Sequence, residues 1–209
     1  MRELSETVGP LAAANAAIIA ASQAGTANTA LTLTTSPYTL DTFRRIIITS
    51  AGDDHTKTFK IVGLNSSGMS VTETLAGATA GNAAQSLYDY SVITSITPSA
   101  NTAGNVQVGT NGVASTRPIY LDKWGPAQVA LQIDVTGTVN ATVQQTTNSL
   151  NPTSNFLTAN WVNHPDSNLV GLTGTCQGNY AYAPMWVRLL LNSGTGSAKL
   201  SVLQNGYSR

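Results

Sequence analysis

Three groups of residues have the types and spacing that chemistry would need. Asp53-Asp54-His55 sets two carboxylates beside an imidazole, the donor types of a divalent-cation site. His164-Pro165-Asp166 offers a base and an acid to orient it, and Cys176 a thiol nucleophile, which are the parts of a Cys-His hydrolase. Tyr88, Tyr90, Tyr180, Tyr182 and Trp186 would together make a face on which sugar rings stack.

Each group also has a simpler explanation. Asp53 and Asp54 fall in AGDDHT, a turn sequence in which Asp is favoured for bonding its own backbone, and no third carboxylate is spaced to complete an oxygen cage. The chain has only two histidines and no nucleophile-elbow pattern such as GxSxG, so neither His164 nor Cys176 gains a catalytic context. A single cysteine excludes an internal disulfide framework and reads as a small core residue, with pairing between chains the one other use. Aromatic residues in strands more often fill a core or a subunit interface than a ligand face. Asn65-Ser66-Ser67 and Asn140-Ala141-Thr142 match the glycosylation acceptor, a match expected by chance in a chain so rich in Asn, Ser and Thr. No glycine-rich loop follows a strand and opens a helix, which leaves no nucleotide site. We assign no catalytic, cofactor or metal residue, and the chain is expected not to be an enzyme.

Composition explains what the surface is for. Charged residues are 10% of the 209, against roughly 25% in ordinary soluble domains, and ten basic side chains balance ten acidic ones. A neutral surface lacks the self-repulsion that keeps monomers apart, and suits a subunit packed against others. It also argues against nucleic acid, whose binding draws on clustered Lys and Arg. Arg44-Arg45 is the one basic pair, and in a strand its two members point to opposite faces. Residues 11–24, LAAANAAIIAASQA, resemble a weak signal-peptide core, but the preceding RELSETVGP carries acids and a proline where such a signal carries positive charge. The stretch is too short to span a membrane. It is expected to be an Ala-rich helical turn or extended arm running from Pro10 to Gly25.

Beyond residue 29 the apolar period is two. LTLTT (31–35) and FRRIIITS (43–50) read as strands, and KTFKIVGLN (57–65) and SVTETLAG (70–77) extend the second of them into a three-strand meander. ATAGNAAQSLYDY (78–90) reads as a loop or short helix, and YSVITSIT (90–97) turns through NTAG into NVQVG (105–109). TRPIYLDKWGP (116–126) is a connector, since two prolines and a glycine bar it from a central strand. AQVALQIDVTG (127–137) and TVNATVQQTT (138–147) alternate, a long surface loop fills 148–168, and MWVRLLLNSGTGSAKLSVLQNGYSR (185–209) reads as one long β-hairpin. Its order of strand, polar turn, strand and Asn-Gly also occurs in YSVITSITPSANTAGNVQVGTNG (90–112), which suggests a duplicated scaffold. The expected fold is all-β, a β-sandwich, a jelly roll or two smaller sandwiches in tandem. Its parts would be an N-terminal arm (1–36), a first half (37–116) and a second half (117–209).

The runs IIITSAGDDHTKTFKIVGLNSSGMSVTETLAG, YDYSVITSITPSANTAGNVQVGTNG and WVRLLLNSGTGSAKLSVLQNG resemble those of tailed-bacteriophage virion structural proteins, in particular small capsid decoration (cement) proteins and related head or tail accessory proteins. The resemblance covers most of residues 43–206 and rests on β-hairpin phrasing and Thr/Gly/Asn composition. It implies a non-enzymatic subunit on the capsid surface, commonly a trimer or other symmetric homo-oligomer, bound to the major capsid protein; the charge balance and the short apolar stretch add the expectation of no nucleic-acid or membrane partner. The arm would then serve as the clasp.

Overall fold

The computed structural model describes residues 2–121, 128–150, 159–182 and 184–204. In chain order the strands are β1 (Arg2–Val8), β2 (Asn15–Ala24), β3 (Tyr38–Ser50), β4 (Thr58–Leu64), β5 (Ser70–Ala76), β6 (Ala83–Gln85), β7 (Tyr90–Pro98) and β8 (Asn105–Ser115). They continue as β9 (Ile119–Tyr120), β10 (Val129–Thr136), β11 (Val139–Thr146), β12 (Val162–Asn163), β13 (Cys176–Tyr180), β14 (Trp186–Gly194) and β15 (Ser197–Gln204). One 3-10 turn, Ser167–Leu169, is the sole helical element among the described residues. The chain is all-β, as its period of two requires. No helix among the described residues is long and apolar enough to cross a membrane.

Two compact units divide the chain, one of residues 1–12 and 112–209, the other of residues 13–111. This differs from an arm followed by two halves. β1 is built into the first unit, paired over its whole length with β15 and burying Val8. β2 is built into the second, where Ile19 and Ala20 are fully buried. The Ala-rich stretch therefore forms a strand and not a helical turn. Alanine favours helices, but a paired strand that buries Ile19 and Ala20 in a core outweighs propensity.

The first unit is a two-sheet sandwich. One sheet has the order β1-β15-β10-β13; in the other, β12, β11 and β14 lie in that order, with β9 and Ala114–Ser115 of β8 on the far edge of β14. Val129, Leu131, Ile133, Leu200 and Val202 from one sheet meet Val139, Val143, Val187, Leu189 and Leu191 from the other. Burial of each such side chain stabilises the unit by roughly 1.5–3 kcal/mol.

The closing segment does not fold as a hairpin. β14 lies in one sheet and β15 in the other, and the same is true of β11 and β10. Register runs through the corner, from Thr136↔Ser197 in one sheet to Val139↔Gly194 in the next, so these four strands form one antiparallel ribbon bent across the sandwich. The bend has identifiable causes. Asn192 is an extra residue, since Asn140 pairs with Ser193 and Ala141 with Leu191, and a bulge of this kind sharpens a strand's turn. Its amide donates to Asn140 Oδ1 at 2.7 Å and to Thr142 Oγ1 at 2.9 Å. At the apex Gly194 has φ 117°, and a Cβ there would lie 2.3 Å from Thr138 O.

The second unit arranges β3, β7, β4 and β5 in that order, with β8 on the other edge of β3, β2 against β8, and β6 against the end of β3. β4 and β5 do form the expected hairpin, in unbroken register from Thr58↔Ala76 to Leu64↔Ser70. The meander is otherwise corrected, because β7 inserts between β3 and β4. β7 and β8 likewise flank β3 and do not pair with each other. The strand pairings of residues 90–112 and 185–204 thus do not reproduce a duplication; Asn205-Gly206 lies outside the described residues. LTLTT makes no strand. The Gln23 side chain bonds both the N–H and the C=O of Thr32 at 2.8 Å, meeting the groups that a neighbouring strand would use.

Gly194→Ala is expected to destabilise the chain by about 2 kcal/mol or more, since it adds a positive-φ penalty to a backbone clash. Denaturant unfolding checks this; an unchanged midpoint would mean that the corner is not fixed by Gly194.

Candidate functional site

The first chemical group does not converge. Asp54 is fully buried and accepts from Ser50 Oγ at 2.5 Å, Lys57 Nζ at 2.7 Å and the Ala103 N–H at 2.8 Å. Burial by itself would raise its pKa, but the bonds from Lys57, Ser50 and Ala103 prevail and hold it below the usual carboxylate value. Asp53 turns outward and pairs with His55 Nδ1 at 2.7 Å, a bond that lowers its pKa. Among the described residues no three His, Cys, Asp or Glu side chains gather as a metal site would require. Asp54 instead ties the β3–β4 turn to the β7–β8 loop.

His164 is buried with both ring nitrogens occupied. Nδ1 accepts from the Asp166 N–H at 3.0 Å, which leaves Nε2 to donate to Asn179 O at 3.2 Å, and the ring packs 4.6 Å from that of Tyr180. Burial lowers its pKa, which keeps the imidazole neutral. Cys176 points its thiol at Asn168 O, 4.0 Å away, and burial followed by the charge of Asp166 raises its pKa. A protonated thiol aimed at a carbonyl and an imidazole whose acceptor nitrogen is taken by backbone do not form a nucleophile-base pair.

The aromatic residues are dispersed. Tyr88 and Tyr90 belong to one unit, and Tyr180, Tyr182 and Trp186 to the other. Tyr90 is fully buried, and burial and then Glu73 push its hydroxyl pKa far upward. Tyr182 is 53% exposed and its hydroxyl accepts from Gln145 Nε2 at 3.0 Å. Trp186 packs edge-on against Tyr120, ring centres 4.9 Å apart. Asn65 is buried, its Oδ1 accepting from Ser67 N and Met69 N, and Asn140 Oδ1 accepts the bulge bond from Asn192, so both acceptor triplets serve packing. Arg44 is buried against Asp41 at 2.9 Å and donates to Asn111 O, which removes it from any basic patch. Phe156 and Leu157, expected to order the long loop, lie outside the described residues.

Two surface features of the first unit are built by the sandwich. On the outer face of β1-β15-β10-β13, cross-strand register aligns Ser5, Ser201, Gln132 and Gln177 in one row and Glu3, Leu203, Ala130 and Asn179 in the next. Gln177 Nε2 donates to Gln132 Oε1 at 2.6 Å, and Gln132 Nε2 to Asp134 Oδ1 at 2.8 Å. Small side chains in the centre leave a trough of about 450 Å³ with Glu3 at one end and Lys199 and Asp134 at the other. The second feature is a groove of about 330 Å³ lined by Leu4, Ser5, Glu6, Pro118, Tyr120 and Trp186. Burial raises the Glu6 pKa, with Arg117 opposing it, and Trp186 Nε1 has no partner among the described residues.

Sequence reasoning missed Glu73, Glu6 and Tyr120. Glu73 alone left a signal: it stands in phase with Val71 and Leu75, at a position that should face the core. It is buried, accepting from Leu87 N at 2.7 Å and Tyr90 Oη at 2.9 Å.

No protein-family model and no curated protein matches the chain. Among solved structures it aligns with the STIV MCP, a viral major capsid protein, over 97% of this chain and 95% of that one, at a TM-score of 0.20 and 11% identity. A likeness at that level carries no argument, and the functional reading rests on the chain's own surfaces.

The His164 pKa lies below its unfolded value, so the unfolded chain binds more protons as the pH falls below about 6.5, and stability contributed there is lost on acidification. Thermal unfolding from about pH 7.5 to about pH 5.5 is expected to show a fall that is smaller in His164→Asn. Equal slopes would exclude His164 as its source. Asp54→Ala strips three donors of their acceptor and is expected to cost about 2 kcal/mol, measured by denaturant unfolding.

Proposed function

We propose that the chain is a non-enzymatic structural subunit of a bacteriophage particle, which decorates the shell and stabilises it by bridging neighbouring copies of the major capsid protein. The observation that supports this reading is the outer face of β1-β15-β10-β13. It is a broad sheet surface whose centre carries Ser, Gln, Asn, Ala and Leu203, with Glu3 at one end and Lys199 and Asp134 at the other, and with its amides already aligned in cross-strand rows. The centre of such a face costs little to desolvate, because its polar groups are neutral and can exchange hydrogen bonds with a second protein surface. A bridging subunit releases its binding free energy only on the assembled shell, where many weak contacts sum. The sequence resemblance to decoration proteins points the same way.

A head-to-tail or tail accessory role would use the same sandwich at a different place, and copy number separates the two. A glycan-binding role draws on one observation, the groove where Tyr120 and Trp186 stand beside the Glu6 carboxylate. Binding of free oligosaccharide by the purified chain, abolished in Tyr120→Ala, would favour that role.

Gln132→Lys combined with Ser201→Lys adds two like charges at the centre of the neutral face while leaving the core intact. Particles assembled with this variant are expected to carry at least about ten-fold less of it and to lose heat stability. Undiminished occupancy would remove this face from the bridge, and a chain present in only a few copies per particle would shift it to the tail.

A further inference from the structure

β5 is the last strand of its sheet, and its outer edge has no neighbour among the described residues. The other strands at the ends of the two sheet orders are protected. β1 carries Glu3 and Glu6, β13 has only five residues with Gly178 at its centre, and β12 is two residues long. β5 is longer than the last two and carries no outward-facing charge. Its seven residues run in unbroken register with β4, without proline, lysine, arginine or bulge. Its single charge, Glu73, is turned to the inner face and consumed by Leu87 N and Tyr90 Oη. The exposed row is Ser70, Thr72, Thr74 and Ala76.

The Glu73 bond has a second effect, which is to hold Leu87 beside β5. Leu87 is 67% exposed, the most exposed large apolar side chain among the described residues. An unblunted edge with an apolar knob fixed next to it is a template for another strand. We propose that β5 pairs antiparallel with β5 of a second copy across a two-fold axis, with Leu87 of each copy packed into the contact. The edge is its own complement. A register centred on Thr72 sets Thr72 across from Thr72 and Ser70 across from Thr74, pairs of a kind that stabilise sheets. It puts Val71 opposite Glu73, so that no like charges face each other, and a chain of net charge zero adds no long-range repulsion. The contact rests on this edge alone, independent of any shell partner, and it is two-fold where the family resemblance implies most commonly a trimer.

Sedimentation equilibrium of the purified full chain, from about 1 µM to about 1 mM, tests it against a Thr72→Lys/Thr74→Lys variant. The wild type is expected to dimerise and the variant to dimerise at least about ten-fold more weakly. A wild type that is monomeric throughout, a trimer, or a dimer untouched by the two lysines would overturn the proposal. Hydrogen exchange of wild-type residues 70–76 reads the same contact without a variant. Exchange should slow at high concentration, and concentration-independent exchange there refutes the pairing even if the lysine variant fails to fold.

Discussion

One antiparallel pairing, carried around a corner with a single bulge, is what the first unit depends on. The ladder that pairs β10 with β15 continues into the ladder that pairs β11 with β14, so the two sheets of the sandwich are held together by covalent chain and by the same strand pairing. The alternation that turns Leu131 and Ile133 inward in one sheet must then deliver Val139 and Val143 inward in the other. Ile133 and Val139 are both odd-numbered and both face inward, a phase that survives the bend because Gly137 and Thr138, both exposed, take the corner together. Asn192 absorbs the mismatch on the opposing strand, and its amide is the reason that the bulge stays at one place. β1 and β13 can then add to the edges of an existing sheet, and the outer face acquires its aligned rows as a consequence.

The second unit solves a different problem with buried charge. Its connections are turns and loops around a sheet in which β7 is inserted between strands that precede it in sequence. Three ionisable side chains fasten those connections: Asp54 gathers the β3–β4 turn and the β7–β8 loop, Glu73 gathers the segment before β7, and Arg44 joins Asp41 to the backbone of Asn111. Buried polar groups of this kind are expensive to desolvate, and each of the three has at least one partner from a distant part of the chain. A chain with so few charges spends several of them inside, which leaves its surface still more neutral than its composition indicates.

The all-β class and the positions of most strands were legible in the sequence because alternation reports which residues face inward. What alternation does not report is the partner. SGTG between two alternating runs looks the same whether the chain reverses within a sheet or bends from one sheet to the next, and only the long-range pairing of β11 with β14 and of β10 with β15 distinguishes them. The same ambiguity turned 43–77 into a meander, since nothing local in KTFKIVGLN shows that β7 will take the place beside it. The candidate chemistry failed for a related reason. Asp53, Asp54 and His55 are adjacent in sequence, and adjacency in a turn sends the two carboxylates in opposite directions, one into the core and one into solvent.

These two kinds of fastening leave the exterior with little chemistry and much area. Where a surface has few charges, neither salt nor pH regulates its contacts strongly, and specificity has to come from shape and from the alignment of neutral hydrogen-bonding groups. Sheet surfaces supply both, because register sets the spacing of every Ser, Gln and Thr to within the pleat. The outer face of β1-β15-β10-β13 offers such an array flat-on, and the edge of β5 offers backbone groups in the same spacing edge-on. A molecule whose specificity lies in repeated neutral spacing is matched best by a partner that repeats as well, which is the physical reason for reading this chain as a component of an ordered assembly.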